Sequence, residues 1–491
     1  MLRSILINGK FVAAKSNTAI EIHNPATLEK LDSIPACGEA DIDAAVKAAR
    51  AAQLACWRTP GVSKAELLHE VANRIRARQM PIAKMMTAET GKPLIESTDC
   101  VQWVAECFDY FAEVGRASLG LAIPPGADHQ VNFVRKEPYG VVACIAPFNF
   151  PLLLTAWKVA PAIAAGNTVV CKPPHQNPLS GLLLGECYDV LPPGVVNIVT
   201  GAGDTGKILT AHPDIDMIAF TGSTDVGKQI AAAAGSQLKK VNLELGGIDP
   251  LIVFEDADLD IASRGAVWAR LLNAGQVCTS SKRIYVVESI AQDFTKRVVE
   301  HVKNLKVGNP IDPKTDMGPL ISGDAVAKLE SQVATVLSEG AELLLGGKRF
   351  QPGGLKGHFF QPTVISKMRH GGIATKEELF GPVVSIFTAK DAAEAIAKAN
   401  DSEYGLGATI YTKNLELAMN AMENIKAGSF WINDPLSDNN AAPFGGMRHS
   451  GIGRELGAEG LDAFREPKHV HLDYVQERKR DWFPYADRKL P

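Results

Sequence analysis

The sequence predicts an α/β protein built on doubly wound parallel sheets, on three observations. Between residues 158 and 254 short apolar runs (GNTVVCKPP, GVVNIVTG, DMIAFTGS, VNLELGG) alternate with helix-like segments. Strands covered on both faces by crossover helices read as such continuous runs. The same alternation continues to about residue 430, and 491 residues fit two or three domains at roughly 150 residues each.

Taken in order, residues 40–118 read as helices: DIDAAVKAARAAQ, SKAELLHEVANRIRARQ and PLIESTDCVQWVAECFDYFAEVG carry apolar residues at three- and four-residue spacing. From about 130 to 146, VNFVRKEPYGVVACIA turns β-branched and alternating, which predicts strands and a hairpin arm outside the helical block. LSGLLLGECYDVL and VGKQIAAAAG are the helices between the buried strands, and ASRGAVWARLL, the strand RIYVVES and the helix AQDFTKRVVEHVKNL open the second α/β stretch. The glycine-rich PFGGMRHSGIGRELG at 443–457 reads as ordered loop.

Composition narrows the function. A net charge of -4 without long like-charge runs gives no electrostatic footprint for nucleic acid, and the basic cluster ERKRDW at 477–482 reads as a solvated tail. The N-terminal MLRSILINGKF is too weakly apolar for a secretory signal, and no run approaches the ~18 apolar residues of a membrane span. Eight cysteines without CxxC spacing argue against a disulfide framework or structural zinc, so a reducing cytoplasm is the simplest compartment and no metal is expected. His469 and His471 form an HxH pair that reads as a strand with outward histidines.

Four features besides the thiol of Cys278 carry candidate chemistry. In NAGQVCTSS at 273–281, Cys278 sits in a small polar run, while most unpaired cysteines hide in cores. Open parallel sheets bind ligands beyond the carboxyl ends of their strands. One such end carries Lys172, a cation placed for a ribose or phosphate, and another carries Gly222 and Ser223 before a helix start, where free N–H groups make an anion site. A third carries Glu244 between two leucines, where burial raises a carboxyl pKa toward that of a general base. The fourth feature is PFNFP at 147–151, a rigid turn that would aim the Asn149 amide at one point, as an oxyanion requires. Each has a bland alternative: a surface lysine, a tight connection, a salt-bridged glutamate, a turn asparagine.

PFNFP, KPP at 172–174, FTGST at 220–224, LELGG at 243–247, GQVCTS at 275–280, EELFGPV at 377–383 and the 443–457 segment together resemble, in order and spacing, the aldehyde dehydrogenase superfamily of NAD(P)-dependent, hydrolytic type. The resemblance implies a Rossmann-like dinucleotide-binding domain over 1–121 and 139–246, a catalytic α/β domain over 247–446, and an oligomerisation arm and C-terminal strand over 122–138 and 467–491. It implies that Cys278 attacks the aldehyde, that Asn149 and the Cys278 N–H hold the oxyanion, and that Glu244 activates the water that hydrolyses the thioester. Lys172 matches the adenosine-ribose contact, Ser223 a residue near the pyrophosphate, and Glu378 and Phe380 the nicotinamide-ribose clamp and its packing partner. Lys158 and Glu455 match a proton path, with a surface ion pair as the plain alternative. The expected partners are an aldehyde, NAD with NADP also accepted, and a second copy of the chain in a homodimer or homotetramer.

Two positions depart from the commonest pattern. His175 stands where many NAD-specific members carry a carboxylate for the ribose 2′-OH, which weakens discrimination against NADP, and Phe148 replaces a frequent tryptophan beside Asn149. Phe150, Leu154, Trp157 and Phe444 match the substrate tunnel and are apolar, with no arginine for a carboxylated aldehyde, so uncharged aliphatic or aromatic aldehydes are favoured. Asp438 near the mouth would suit an amino- or betaine-type aldehyde. Three rival readings stand beside these: a CoA-acylating relative, against which Glu244 argues; a cysteine hydrolase or acyltransferase, which would need a histidine base; and a non-catalytic binding protein, which needs no combination of Cys278, Glu244 and Asn149.

Overall fold

A computed structural model describes residues 4–117, 120–479 and 481–485. Its first sheet contains five parallel strands in the order Val196–Ile198, Thr168–Lys172, Val141–Ile145, Met217–Thr221 and Lys240–Glu244. Ile5–Ile7 pairs antiparallel to Val196–Ile198, with Lys10–Val12 beyond it closing one edge, and Gly451–Ile452 closes the other antiparallel to Lys240–Glu244. Every residue of Val141–Ile145, Thr168–Lys172 and Met217–Thr221 is buried, as strands covered on both faces must be. From the central Val141–Ile145 the chain builds outward to one side, then returns to the other for Met217–Thr221. The crevice at this switch therefore opens beyond Ile145 and Thr221.

The second sheet is parallel through Thr363–Ser366, Val383–Ala389, Arg283–Val287, Pro250–Val253, Gly407–Tyr411 and Ser429–Ile432, with Glu342–Leu345 antiparallel at one edge. Only two residues separate Gly247 from Pro250, so the strands of the first sheet end close to where those of the second begin. The nucleophile loop lies between the helix Leu259–Leu271 and the strand Arg283–Val287. It thus approaches the crevice from the amino ends of the second sheet.

The stretch 130–146 divides between two sheets. Gln130–Pro138 pairs with Leu121–Ile123 and, over nine residue pairs, with Arg465–Asp473, whereas Val141–Ile145 is the centre of the first sheet. His469 and His471 lie on Arg465–Asp473 and share Asn132 Oδ1 at 3.3 and 2.8 Å, so the pair sits on an exposed strand as expected. Of the expected C-terminal segment 467–491, and of the basic run 477–482, residues 480 and 486–491 lie outside the described residues. The glycine-rich 443–457 segment is mostly loop but contributes two short strands, Met447–Arg448 and Gly451–Ile452. Among the described residues no helix is long and apolar enough to cross a membrane, and no group of three or more His, Cys, Asp or Glu is placed to hold a metal ion.

Candidate active site

Seven of the eight cysteines are buried; Cys278 alone is partly exposed, and it lines a cavity of about 360 Å³. All four predicted tunnel residues line the same cavity. Phe150, Leu154, Trp157 and Phe444 form its apolar wall, with the Trp157 and Phe444 rings tilted by 58° against each other at 4.9 Å between centroids. Trp103 and Trp268 add to the wall, and the polar lining includes Glu106, Asp434 and Asp438, with no lysine or arginine among the lining residues. Burial pushes the Cys278 thiol up to about 12, with Lys282 pulling the other way.

The backbone around this thiol is strained. Asn273, Ala274 and Gly275 have φ of 51°, 54° and 74°, three successive residues in the left-handed region. The loop is fixed by groups that the sequence did not single out. Arg270, fully buried on its helix, reaches Gly275 O at 3.1 Å and Ser280 Oγ at 2.9 Å, and also Leu379 O at 2.5 Å and Val383 O at 2.7 Å in the clamp segment. Asn273 Nδ2 donates to Asn149 O at 3.1 Å and to Gln276 O at 3.2 Å, which ties the PFNFP turn to the nucleophile loop. A signal for Arg270 was present: it falls on the same helical face as Ser263, Ala266 and Val267, all buried.

Gly275→Ala tests this scaffold. Its Cβ would stand 2.2 Å from Gly381 O and 2.9 Å from Arg270 Nη1, at a backbone angle that side chains resist. A loss of about 2 kcal/mol or more in stability is expected, read as a lower denaturant midpoint together with slower alkylation of Cys278. An unchanged midpoint would show that the loop relaxes freely.

Asn149 stands two residues before Pro151, the first residue of the helix Pro151–Ala165, where proline's fixed φ suits a helix start. Its turn is held by Asn177 Nδ2, 2.6 Å from Phe148 O. Neither the Asn149 amide nor the Cys278 N–H donates a hydrogen bond to another described residue, so both donors are free for a ligand.

Glu244 ends its strand with 2% of its surface exposed, and neither carboxylate oxygen has a hydrogen bond of good geometry among the described residues. Burial first, then the charge of Glu455, pushes its pKa well above the usual carboxylate range, against the pull of Lys158 and Arg454. Gly445 abuts it, since a Cβ there would come within 2.6 Å of Glu244 Oε1, and the preceding Phe444 lines the thiol's cavity. Lys158 and Glu455 form an ion pair at 2.6 Å that is buried, not on the surface: their side chains are 0% and 1% exposed. Lys158 Nζ also donates to Thr221 Oγ1 at 2.6 Å, and Thr221 is the cross-strand neighbour of Glu244.

Lys172 Nζ is buried against Pro173 O and Gly201 O, both at 3.2 Å, and desolvation lowers its pKa to about 8. Burial and the neighbouring Lys172 lower that of the half-buried His175. Ser223 caps the helix Thr224–Ser236, accepting from the Val226 N–H at 3.4 Å, and Gly222 donates to Glu244 O at 3.0 Å. Glu378 ion-pairs with Lys282 at 3.0 Å, and Phe380 meets Phe148 edge-on at 5.9 Å. Phe148 thus joins the PFNFP turn to the clamp segment.

The sequence model of the aldehyde dehydrogenase family matches residues 11–470. The chain is 40% identical to the peroxisomal aminoaldehyde dehydrogenase 2 of Pisum sativum over 98% of this chain and 97% of the relative. It is also 40% identical to an NADP(+)-dependent succinate-semialdehyde dehydrogenase of Escherichia coli K12, over 95% and 96%. The chain belongs to the aldehyde dehydrogenase family. Among solved aldehyde dehydrogenase structures, the betaine aldehyde dehydrogenase of Staphylococcus aureus in complex with NAD+ superposes with a TM-score of 0.95 at 35% identity, covering 98% of this chain and 97% of that one. As an aldehyde dehydrogenase the protein is an NAD(P)-dependent oxidoreductase of mixed α/β fold.

Proposed function

We propose that this dehydrogenase oxidises an aldehyde to its acid through a thioester on Cys278, released by water that Glu244 activates. The observation that carries the reading is the combination of one accessible thiol in an apolar cavity with a buried, unpartnered carboxylate one residue of backbone away from that cavity's wall. Sγ of Cys278 attacks the carbonyl carbon, and the thiol proton passes to solvent water at the cavity as the bond forms. The oxyanion that results is held by the free Asn149 amide and the Cys278 N–H. When bound, the nicotinamide cofactor supplies the acceptor for the hydride that this carbon releases. Glu244 then takes a proton from the attacking water, and Thr221, Lys158 and Glu455 continue the line of polar groups away from it.

Residues of both sheets fit the dinucleotide. The crevice at the switch point offers the Lys172 ammonium, the Ser223-capped helix start and His175. Gly246 leaves a gap beside Glu378, since a Cβ there would stand 3.0 Å from Glu378 Oε2. In this reading Gly222 and Ser223 face the phosphates, Lys172 the adenosine ribose, and Glu378 and Phe380 the nicotinamide ribose. His175 offers no carboxylate against a 2′-phosphate, so NAD and NADP are both accepted. The first sheet, within 1–121 and 139–246, serves the cofactor, and 247–446 supplies the thiol.

The cavity wall supports aldehydes with an apolar aliphatic or aromatic body. A second reading, an amino- or betaine-type aldehyde, is favoured by Glu106, Asp434 and Asp438 with no cation opposite them. The same lining disfavours a substrate carboxylate, which would be desolvated without a counter-charge. Initial rates of reduced-cofactor formation with NAD and NADP, across hexanal, benzaldehyde, 3-aminopropanal, betaine aldehyde and succinic semialdehyde, test this. Turnover is expected with the apolar and cationic aldehydes, and succinic semialdehyde as the best substrate would overturn the cavity reading.

The arm carries exposed apolar side chains at Leu121, Val131, Phe133 and Leu472, which supports burial against further copies in a homodimer or homotetramer. Eight free thiols support a reducing, cytoplasmic location.

A further inference from the structure

Lys282 follows the nucleophile loop and has a side chain only 1% exposed. An ammonium has three N–H donors, and here three oxygens lie within 3.0 Å of it: Val277 O at 2.8 Å, Cys278 O at 2.5 Å and Glu378 Oε1 at 3.0 Å. Its own N–H donates to Asp249 O at 3.0 Å, beside the first residue of the second sheet, so the main chain that carries the ammonium is fixed too. Phe380 covers it, with Nζ 5.9 Å from the ring centroid. The other Glu378 oxygen, Oε2, lies on the Gly246 side, where a Cβ would crowd it.

A buried cation is expensive unless it is paired, and this one is held from two functionally distinct segments: two loop carbonyls accept its hydrogen bonds, and Glu378 Oε1 balances its charge at 3.0 Å without hydrogen-bond geometry. We propose that Lys282 is a positioning residue for hydride transfer, tying the carbonyl of the nucleophile Cys278 to the carboxylate of Glu378 so that the sulfur adduct and the nicotinamide ribose stay in register. The proposal rests on the reading of Glu378 as the ribose clamp. Lys282 touches neither substrate nor cofactor; it presents Glu378 Oε2 to the ribose by occupying Oε1, and holds the loop whose N–H faces the oxyanion.

The test uses full-length Lys282→Gln, with three readouts: the calorimetric Kd for NAD+, kcat per alkylatable Cys278, and the primary deuterium isotope effect on the first turnover of a 1-deuterated aldehyde. Misplacing the reacting partners by about 1 Å is expected to lower kcat per site about 100-fold and to raise the isotope effect above that of the unaltered enzyme. The Kd should weaken about tenfold, one factor of ten in the binding constant. Lys282→Arg keeps the charge but cannot fit one nitrogen among three oxygens, so it should show the same changes, smaller; it carries the test if the glutamine variant does not fold. Surviving sites that turn over at the normal rate with the normal isotope effect would reduce Lys282 to a structural support and overturn the proposal, as would an unchanged variant. Glu378→Gln is run alongside. An unchanged Kd there removes the clamp reading and this proposal with it, whereas a weakened Kd there beside a normal Lys282→Gln removes this proposal alone.

Discussion

Cys278→Ser is expected to lower reduced-cofactor formation by at least about 10⁴-fold with every aldehyde, the scale on which removal of a covalent nucleophile acts. The oxygen of serine is a far weaker nucleophile near neutral pH than sulfur, and no histidine lines the cavity to activate it. The substitution adds no volume and the residue is partly exposed, so folding should be unaffected. Steady-state assay beside a melting curve separates the two effects. Retention of more than a few per cent of the activity would mean that another group forms the covalent bond or that none is formed.

Glu244→Gln is expected to divide the reaction in two. Acylation of Cys278 should still deliver one equivalent of reduced cofactor per site, while steady turnover falls by about 10²–10⁴-fold, the range for loss of a general base. The pH profile supplies an independent check. Burial holds the Glu244 pKa well above the usual carboxylate range, so the basic form is scarce in acid and becomes populated as pH rises. The turnover of the unaltered enzyme should therefore climb with pH along a limb displaced upward from ordinary carboxylates, and the glutamine variant should lack that limb. Stopped-flow absorbance measures burst and steady phase together; an undiminished steady phase would refute the assignment.

The parts of the site that lie at strand ends were legible because parallel strands declare themselves. TVVC and MIAF are continuous apolar runs and VNLEL alternates, and Lys172, Thr221 and Glu244 end the three strands at their carboxyl side. Cys278 was legible by contrast with seven cysteines in apolar or helical surroundings. Three helices were not. Pro151–Ala165 is apolar nearly all round because it is buried on nearly every face, so it lacks the amphipathic period that reveals a helix. Gln79–Thr90 has a weak period and a proline near its start, and Gly203–Ala211 has two glycines.

The supporting polar groups were harder still. Arg270 and Asn273 act on backbone carbonyls of other segments, as far as Leu379 and Val383 for Arg270, while Lys282 turns back on the loop before it and pairs with the distant Glu378. Sequence shows the side chain and not the distant carbonyl. The glycine-rich 443–457 segment read as loop, which holds for only part of it: nothing in its composition announced that Gly451–Ile452 would complete the first sheet or that Glu455 would meet Lys158 in the core.

The thioester on Cys278 is the central claim, and intact-protein mass spectrometry of Glu244→Gln tests it most directly. Incubated with hexanal and NAD+, the variant should gain the mass of the aldehyde less two hydrogens, with the label on the peptide that contains Cys278; without NAD+ that species should be absent. An adduct on any other residue, or a variant that releases one equivalent of reduced cofactor with no covalent acyl group, would contradict it.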